Sequence, residues 1–325
     1  MRSAFLLREA ALLLVLGVMF AAFSIFVPGF YDWTNVFDRT RHWVAAGLIA
    51  IPMTFIIATA GIDLSVGSLV AMSGIVLGLL YRDGHWPIGL AVLAAIGAGM
   101  AGGALNGAVI SRFGIPPLVA TLATMALFSG VATGLSKGRP IGNLPASLQW
   151  LSQGDAFVLR FGQGIAAPLP FSLLVLAAAT ALGWVLMHRS WVGRFTEFIG
   201  ENEMAARFAA IPVPRMRLGI YTACGLVCGV ASVLYTGLYA TARPDAARGL
   251  ELEVIACVVI GGTRISGGHA SVLGSLLGLF IIGMLKYGLQ MGGVKSEYLI
   301  ILVGILLILT AVFNEWLFTR TGGKT

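Results

Sequence analysis

Residues 10–27 read AALLLVLGVMFAAFSIFV, and residues 299–313 read LIILVGILLILTAVF. Each run is uncharged and approaches the roughly 20 residues that an α-helix needs to cross a bilayer. Backbone in lipid must satisfy its own hydrogen bonds, so membrane spans are either helices or the strands of a closed barrel. A barrel strand would show about ten residues of alternating polarity. These runs are continuous, and they predict an all-α polytopic membrane protein.

The composition of the whole chain agrees with this prediction. Of 325 residues, 58% are hydrophobic and only 11% are charged, whereas a soluble domain carries about 25% charged residues. Lipid must therefore cover most of the surface, which excludes a soluble protein. The net charge of +7 comes from bases in the loops, as expected of a membrane protein. No basic run with interleaved aromatic residues suggests nucleic-acid binding.

Hydropathy predicts about ten spans in one transmembrane domain covering residues 1–325. The loop 188–217 contains five arginines, so the excess of positive charge in cytoplasmic loops places it inside the cell. The connection 136–168 then lies outside, and both termini lie in the cytoplasm. The predicted spans are near 10–27, 43–61, 66–81, 88–111, 116–135, 169–187, 218–240, 251–263, 269–288 and 297–318.

The 43 glycines exceed the average usage of about 7%. Small residues four apart let membrane helices approach closely, although glycines can also be hinges in broken helices around a pathway. The pairs are Gly74/Gly78, Gly99/Gly103/Gly107, Gly225/Gly229 and Gly274/Gly278. Cys224, Cys228 and Cys257 lie in apolar stretches and are interpreted as packing residues, with a metal site or disulfide as the alternative.

Motifs typical of enzymes occur without the context that they require. Residues 134–138, GLSKG, fit a nucleophile elbow but follow a predicted membrane helix instead of a strand. The C-terminal GGKT, residues 322–325, resembles the end of a P-loop but has no helix after it. The four histidines show no metal-ligand spacing. We therefore predict neither an enzyme nor a resident metal.

Residues 60–68, AGIDLSVGS, place one acid between long apolar stretches. An acid at the centre of a membrane helix costs about 2.5–3.5 kcal/mol on insertion scales. One interpretation is that Asp63 caps a helix starting near Leu64; the other is a direct role in a solute pathway at a helix break. The motif residues are Gly61, Asp63, Ser65, Gly67 and Ser68.

Residues 193–212 contain a predicted short helix from Asn202 to Ile211, which Asn202 caps and Pro212 ends. It would dock a partner protein, or else pack against the ends of its own membrane helices. Met204, Phe208 and Ile211 form one apolar stripe, and Glu203 pairs with Arg207 at i, i+4. The candidate coupling residues are Gly193, Gly200, Asn202, Met204, Ala205, Ala206, Arg207, Phe208 and Ile211.

Residues 258–274 contain a polar turn that is bracketed by two pairs of glycines. The turn predicts a tight re-entry between two spans. It is similar to residues 61–68, but the two turns do not occupy equivalent places in a five-plus-five division of the spans, so no internal repeat is inferred. The motif glycines are Gly261, Gly262, Gly267 and Gly268.

At these residues the chain resembles the permease subunit of bacterial ABC importers for monosaccharides, of the ribose, xylose, rhamnose and autoinducer-2 type. The resemblance rests on GIDLSVGS (61–68), NG at 106–107 with GIPPLVATL (114–122), G-x-N-x-x-AAR (200–207), and the glycine motif 261–274. The chain departs from the family at Ala210, where glycine is frequent.

The resemblance implies a permease without an ATPase of its own. Its partners would be a second permease chain, identical or related, a cytoplasmic ABC ATPase that binds the ATP, and a periplasmic sugar-binding protein. No cofactor is implied for this chain, and the expected location is the bacterial inner membrane. A branched-chain amino-acid permease is the close alternative. A secondary transporter working alone is a different class, and it would need carboxylates within the spans.

Overall fold

The computed structural model describes residues 2–161 and 165–321, which form thirteen α-helices and one two-stranded sheet. The C-terminal residues 322–325, considered above as the end of a P-loop, lie outside this part. The elements are α1 (Arg2–Phe26), α2 (Trp33–Ala58), α3 (Val66–Arg82), α4 (Ile88–Phe113), α5 (Pro117–Ser136), α6 (Ala146–Gln153), β1 (Asp155–Phe161), β2 (Ile165–Pro170), α7 (Phe171–Arg189), α8 (Trp191–Glu201), α9 (Glu203–Phe208), α10 (Val213–Tyr239), α11 (Leu250–Ile260), α12 (Val272–Met291) and α13 (Ser296–Thr321).

Seven of the helices in the described part are long and apolar enough to cross a membrane, namely α1, α2, α4, α5, α7, α10 and α12. Two more apolar helices, α3 and the Glu297–Thr310 part of α13, are shorter. The prediction of an all-α polytopic membrane protein is confirmed. Nine of the ten predicted spans coincide with one of these helices.

The predicted span at 251–263 is wrong as a full helical crossing. Its helix, α11, has 11 residues, which at 1.5 Å per residue is about 16 Å. That is roughly half of the hydrocarbon core of a bilayer. Hydropathy failed here because a half-length helix and the apolar turn after it have the same composition as a full span.

The irregular segment 240–249 leads into α11 along the side of α3. Ala242 pairs with Ile141 in an antiparallel bridge, and a Cβ added at Gly78 of α3 would lie 3.2 Å from the Ala242 Cβ. At the other end of α3, a Cβ added at Gly67 would lie 2.6 Å from the Ala247 carbonyl oxygen. Non-helical backbone at membrane depth is tolerated where protein shields it from lipid, and α3 supplies that shield.

Glycine permits the close packing of α4 on α10. A Cβ added at Gly103 would lie 2.7 Å from the Gly225 Cα, and one at Gly99 would lie 2.8 Å from the Gly229 Cα. Real Cβ atoms essentially never approach other atoms so closely. The predicted use of these glycines in tight helix packing is confirmed. The three cysteines are buried free thiols, in agreement with their interpretation as packing residues.

The connection 136–168 is more ordered than the sequence analysis expected. It contains α6 and an antiparallel hairpin of β1 and β2. Arg41 of α2, which is 8% exposed, holds the hairpin by donating to the Asp155 carboxylate at 2.5 Å and to the Gly154 carbonyl at 3.2 Å. Asp38 also pairs with Arg41, at 2.9 Å. This end of the molecule is separated from α8 and α9 by the 19 residues of α7.

We expect Gly103→Ala to destabilise the protein by about 1–3 kcal/mol, because the added methyl group overpacks the contact with α10. Gly97→Ala on the same helix is the matched control, since nothing lies within 4 Å of a Cβ at Gly97. The measurement is the thermal unfolding midpoint of each detergent-solubilised variant. Equal midpoints for both variants and the wild type would contradict this packing role.

Candidate functional site

Asp63 lies at the break between α2 and α3 and is 1% exposed. Its Oδ1 accepts hydrogen bonds from the Ser65 backbone N–H at 2.8 Å and from the Ser65 hydroxyl at 2.7 Å. Asn106 of α4 donates to the Ser65 hydroxyl at 2.8 Å and approaches Asp63 Oδ2 at 3.5 Å. The acid is thus surrounded by local hydrogen-bond donors, and it makes no salt bridge within the described residues.

The expectation that Asp63 caps a helix at Leu64 is wrong in detail. Helix α3 begins at Val66 with Ser65 at the N-cap position, and Ser65 makes no side-chain cap bond there. Asp63 instead bonds the N–H two residues ahead, which is the pattern of an Asx-turn. Ser68 in the first turn of α3 donates to the Ser65 carbonyl at 2.8 Å. Gly61 is required beside this turn, because a Cβ there would lie 2.8 Å from the Tyr221 hydroxyl oxygen.

The late glycine motif forms a compact turn between α11 and α12. Gly261 packs directly against Gly274, while Gly262, Gly267 and Gly268 have φ of +95°, +86° and +83°. Residues with side chains rarely adopt such angles, so these three positions need glycine. The predicted tight re-entry is confirmed.

This turn, the end of α2 and the end of α8 meet at one place, which we name the junction. The Gly268 N–H donates to the Ala58 carbonyl at 3.0 Å. Gly200 of α8 lies against both groups so closely that a Cβ would overlap the Ala58 carbonyl oxygen. Glu197, one turn earlier in α8, accepts a hydrogen bond from the Ala270 N–H at 3.2 Å. The sequence singled out these segments separately, and the structure brings them together.

Helix α1 also reaches the junction, which the sequence analysis missed. Arg8 Nη1 donates to the Gly262 carbonyl at 2.6 Å, and the Ser271 hydroxyl donates to Glu9 at 3.3 Å. A basic and an acidic residue at the start of an apolar helix could have signalled such a contact.

Ionisation at the junction follows its burial. Burial raises the pKa of the Glu197 carboxyl above its usual range, and the hydrogen bond from Ala270 opposes the rise. Burial lowers the pKa of His269, and the charges of Arg8 and Arg264 lower it further. His269 therefore binds a proton less readily than an ordinary histidine, and hydrogen bonds to backbone groups join the segments of the junction.

Helix α9 projects from the same end of the molecule. Asn202 caps it as predicted, accepting from the Ala205 N–H at 2.9 Å. Glu203 pairs with Arg207 at 2.8 Å as predicted and also with Arg217 of α10 at 2.6 Å. Burial alone would raise the pKa of Glu203, but the hydrogen bonds from both arginines outweigh it and hold the pKa below its usual range.

The predicted helix Asn202–Ile211 is too long, because α9 ends at Phe208. Ala210 has φ of +59°, a left-handed conformation that suits glycine better than alanine. This backbone conformation accounts for the glycine that is frequent at this position in the family that the chain resembles. Ile211 packs inward near Val213, whereas Met204 and Phe208 are 64% and 86% exposed. Only two members of the predicted stripe therefore face away from the protein.

Helix α8 (Trp191–Glu201) is the other feature of this loop that the sequence analysis missed. Gly193 lies so close to the Met187 carbonyl at the corner between α7 and α8 that a side chain would overlap it. Ala206 of α9 is buried in a small cluster with Ile199 and Met216. The loop 188–217 is therefore a folded unit fixed to the ends of α7 and α10.

A bundle of apolar helices with a half-helix and a glycine re-entry inside it is the architecture of a polytopic membrane transport protein. Residues 36–311 match the family model described as "Branched-chain amino acid transport system / permease component". The chain belongs to this permease family, and it is a permease subunit of the ABC importer class.

Curated relatives cover nearly the whole chain. Ribose import permease protein RbsC of Bacillus subtilis (strain 168) is 35% identical over 292 residues, which is 90% of this chain and 88% of that protein. Its namesake of Escherichia coli (strain K12) is 31% identical over 309 residues, 95% and 94% of the two chains. Autoinducer 2 import system permease protein LsrD of Photorhabdus laumondii is 33% identical over 310 residues, 94% and 90%. No solved structure matches the chain.

We expect Asp63→Asn to remain folded and to retain most transport, because an amide oxygen can still accept from the Ser65 N–H and hydroxyl. Asp63→Leu removes the acceptor and leaves buried donors unpaired, at a cost of about 1–3 kcal/mol each. The measurements are the amount of membrane-inserted protein, its unfolding midpoint and solute uptake. A well-folded Asp63→Asn variant with little uptake would instead assign the charge to the solute pathway.

Proposed function

We propose that this chain is the membrane subunit of an ATP-driven importer that carries a sugar or sugar-like solute into the cell. The observation that carries the proposal is the likeness over at least 90% of the chain to ribose and autoinducer-2 import permeases. The family description names branched-chain amino acids, so a branched-chain amino-acid permease is the second candidate. The named relatives favour the sugar.

The ATPase would be a separate protein that docks on α9. Met204 and Phe208 expose apolar side chains at the end of the molecule that also carries five arginines between 188 and 217. Exposed apolar groups on a short helix are suited to insertion into a groove of a partner. Arg207, 54% exposed beside its partner Glu203, could also pair with an acid of the ATPase. ATP would then bind to the partner, and this chain would need no cofactor.

The junction would transmit the movement of the ATPase into the membrane. A displacement of α8 acts directly on the end of α2 through Gly200 and Ala58, and on the turn before α12 through Glu197 and Ala270. The contact between Gly200 and Ala58 is backbone against backbone, so no change of rotamer can absorb a displacement there. Alternating access by rocking of packed units is the expected consequence.

Two further partners would complete the importer. A second permease chain would pair with this one around a shared pathway, and a periplasmic binding protein would deliver the solute at the hairpin end. The orientation would follow the arginines, with α8, α9 and both termini in the cytoplasm. The location would be the inner membrane of a bacterium.

We expect Phe208→Ala to leave the permease folded but to weaken its complex with the cognate ATPase. Truncating a buried interface anchor typically costs about 2 kcal/mol or more, roughly a thirtyfold loss of affinity. Copurification with the ATPase and ATP-dependent uptake are the measurements. Phe157→Ala is the matched control, because Phe157 is 49% exposed in β1 at the opposite end. Normal copurification and uptake for both Phe208→Ala and Arg207→Ala would refute docking on α9.

We expect an impermeant thiol reagent to label Ala156→Cys in intact cells and to leave Ala209→Cys unlabelled. Ala156 lies in the hairpin and Ala209 directly follows α9, and both are exposed. The background would lack the three native cysteines, and permeabilised cells control for reactivity. Labelling of Ala209→Cys in intact cells would reverse the orientation.

A further inference from the structure

A cleft of about 540 Å³ opens at the end of the molecule opposite the junction. Its walls are residues 39–43 of α2, residues 247–249 with the first turn of α11, the last turns of α10 and α12, and α13. The volume lies in the range of pockets for small molecules, roughly 300–1,000 Å³. In the orientation proposed above, the cleft faces the side from which a solute arrives.

An ion pair lies in the wall of this cleft. Lys286 Nζ of α12 donates to Glu253 Oε2 of α11 at 2.8 Å, and the two side chains are 31% and 18% exposed. Ionisable residues within membrane segments are expensive and usually mark a solute or ion pathway. Among the described residues, the bond from Lys286 to Oε2 is the one hydrogen bond that the Glu253 carboxylate accepts, which leaves Oε1 available. Both groups retain capacity for a further polar contact.

The Tyr287 hydroxyl is the second observation that points to a ligand. Tyr287 lines the cleft, is 4% exposed, and has a hydroxyl with no hydrogen-bond partner within the described residues. A buried polar group without a partner costs about 1–3 kcal/mol. The Arg39 guanidinium lies over the ring of Tyr287, 5.7 Å from its centroid, and both residues line the same cleft as the ion pair.

Aromatic surface completes the lining. Trp43 is 8% exposed, and the rings of Tyr235 and Tyr239 lie 4.8 Å apart between centroids. Aromatic walls with a few placed polar groups are the usual composition of a small-molecule site. A sugar has apolar C–H faces that can pack on aromatic rings. Its hydroxyl groups both donate and accept hydrogen bonds, so they can bond to the Lys286 ammonium, the Glu253 carboxylate and the Tyr287 hydroxyl.

The cleft carries a surplus of positive charge. Arg39, Arg248 and Lys286 line it together with one acid, Glu253, and Lys286 already neutralises that acid. This surplus would attract the carboxylate of an amino acid and repel its ammonium group, whereas a neutral polyol needs only hydrogen-bond partners.

We propose that this cleft is a solute site of the permease itself, which binds a monosaccharide or similar small polyol through Glu253, Lys286 and Tyr287. The inference rests on the proposed function and specifies where the solute is held after delivery. Helix α11 carries Glu253 and ends at the glycine turn of the junction, so the site is directly connected to the segments that would move.

The test is saturation-transfer-difference NMR on the purified permease in nanodiscs, with D-ribose, D-xylose, L-rhamnose and L-leucine as probes. We expect a signal from at least one sugar and none from leucine. Tyr287→Phe removes one hydroxyl and keeps the ring, and it should weaken sugar binding roughly tenfold, as loss of one hydrogen bond does. Tyr298→Phe is the matched control, since Tyr298 is 61% exposed and outside the cleft.

Glu253→Gln tests the ion pair, with the unfolding midpoint as a check on folding. The double variant Glu253→Lys with Lys286→Glu keeps an ion pair but exchanges its two charges. We expect it to recover the stability of the protein but not the native sugar preference. Absence of a signal from every sugar, a signal from leucine alone, or equal effects of Tyr287→Phe and Tyr298→Phe would overturn the site. ATP-dependent uptake by the complete importer tests the proposed function separately, because uptake can persist when the site fails.

Discussion

A peptide group left unpaired in the hydrocarbon of a bilayer costs several kcal/mol, and this constraint determines where the chain can depart from helix. The described residues depart from it inside the bundle at 59–65, 240–249 and 261–271. In each case freed backbone groups bond to other parts of the protein: the Ile62 carbonyl accepts from the Thr121 hydroxyl, the Ala242 N–H donates to the Ile141 carbonyl, and the Gly268 N–H donates to the Ala58 carbonyl. The breaks are therefore built into the packing, and each joins segments that are distant in sequence.

Glycine makes these arrangements possible because backbone can meet backbone only where side chains are absent. Between α4 and α10 this gives a flat, close contact centred on Gly103 and Gly225. At the junction, Gly200 and Gly268 bring the backbones of three segments together. The first contact holds two long helices together, and the second joins α8 to the end of α2 and to the turn before α12. A single residue type thus permits both kinds of close contact.

Hydropathy is a local property, and so the spans could be predicted from the sequence. The cap at Asn202 and the pair Glu203–Arg207 could be predicted for the same reason, since their partners lie within four residues. The half-helix α11 could not, because its shortness depends on 240–249 lying against α3. Arg8 and Gly262 are 254 residues apart in the sequence, so no local spacing pattern predicts their contact. The sequence correctly placed Asp63 at a helix break, but it predicted a helix cap where the structure has an Asx-turn. Aspartate is typical of both, so the residue type alone does not separate them.

The acids Asp63 and Glu253 lie in two different settings, and the difference fits a structural role for the first and the proposed solute site for the second. Asp63 is almost wholly buried and receives its hydrogen bonds from Ser65 and Asn106, so its environment is complete without any other molecule. Glu253 is neutralised by Lys286 but borders an open cleft, beside a tyrosine hydroxyl that lacks a partner. A closed network stabilises one conformation, whereas an incomplete one gains free energy when a polar molecule enters. The first arrangement suits a hinge and the second suits a place where a hydrated solute exchanges water for protein.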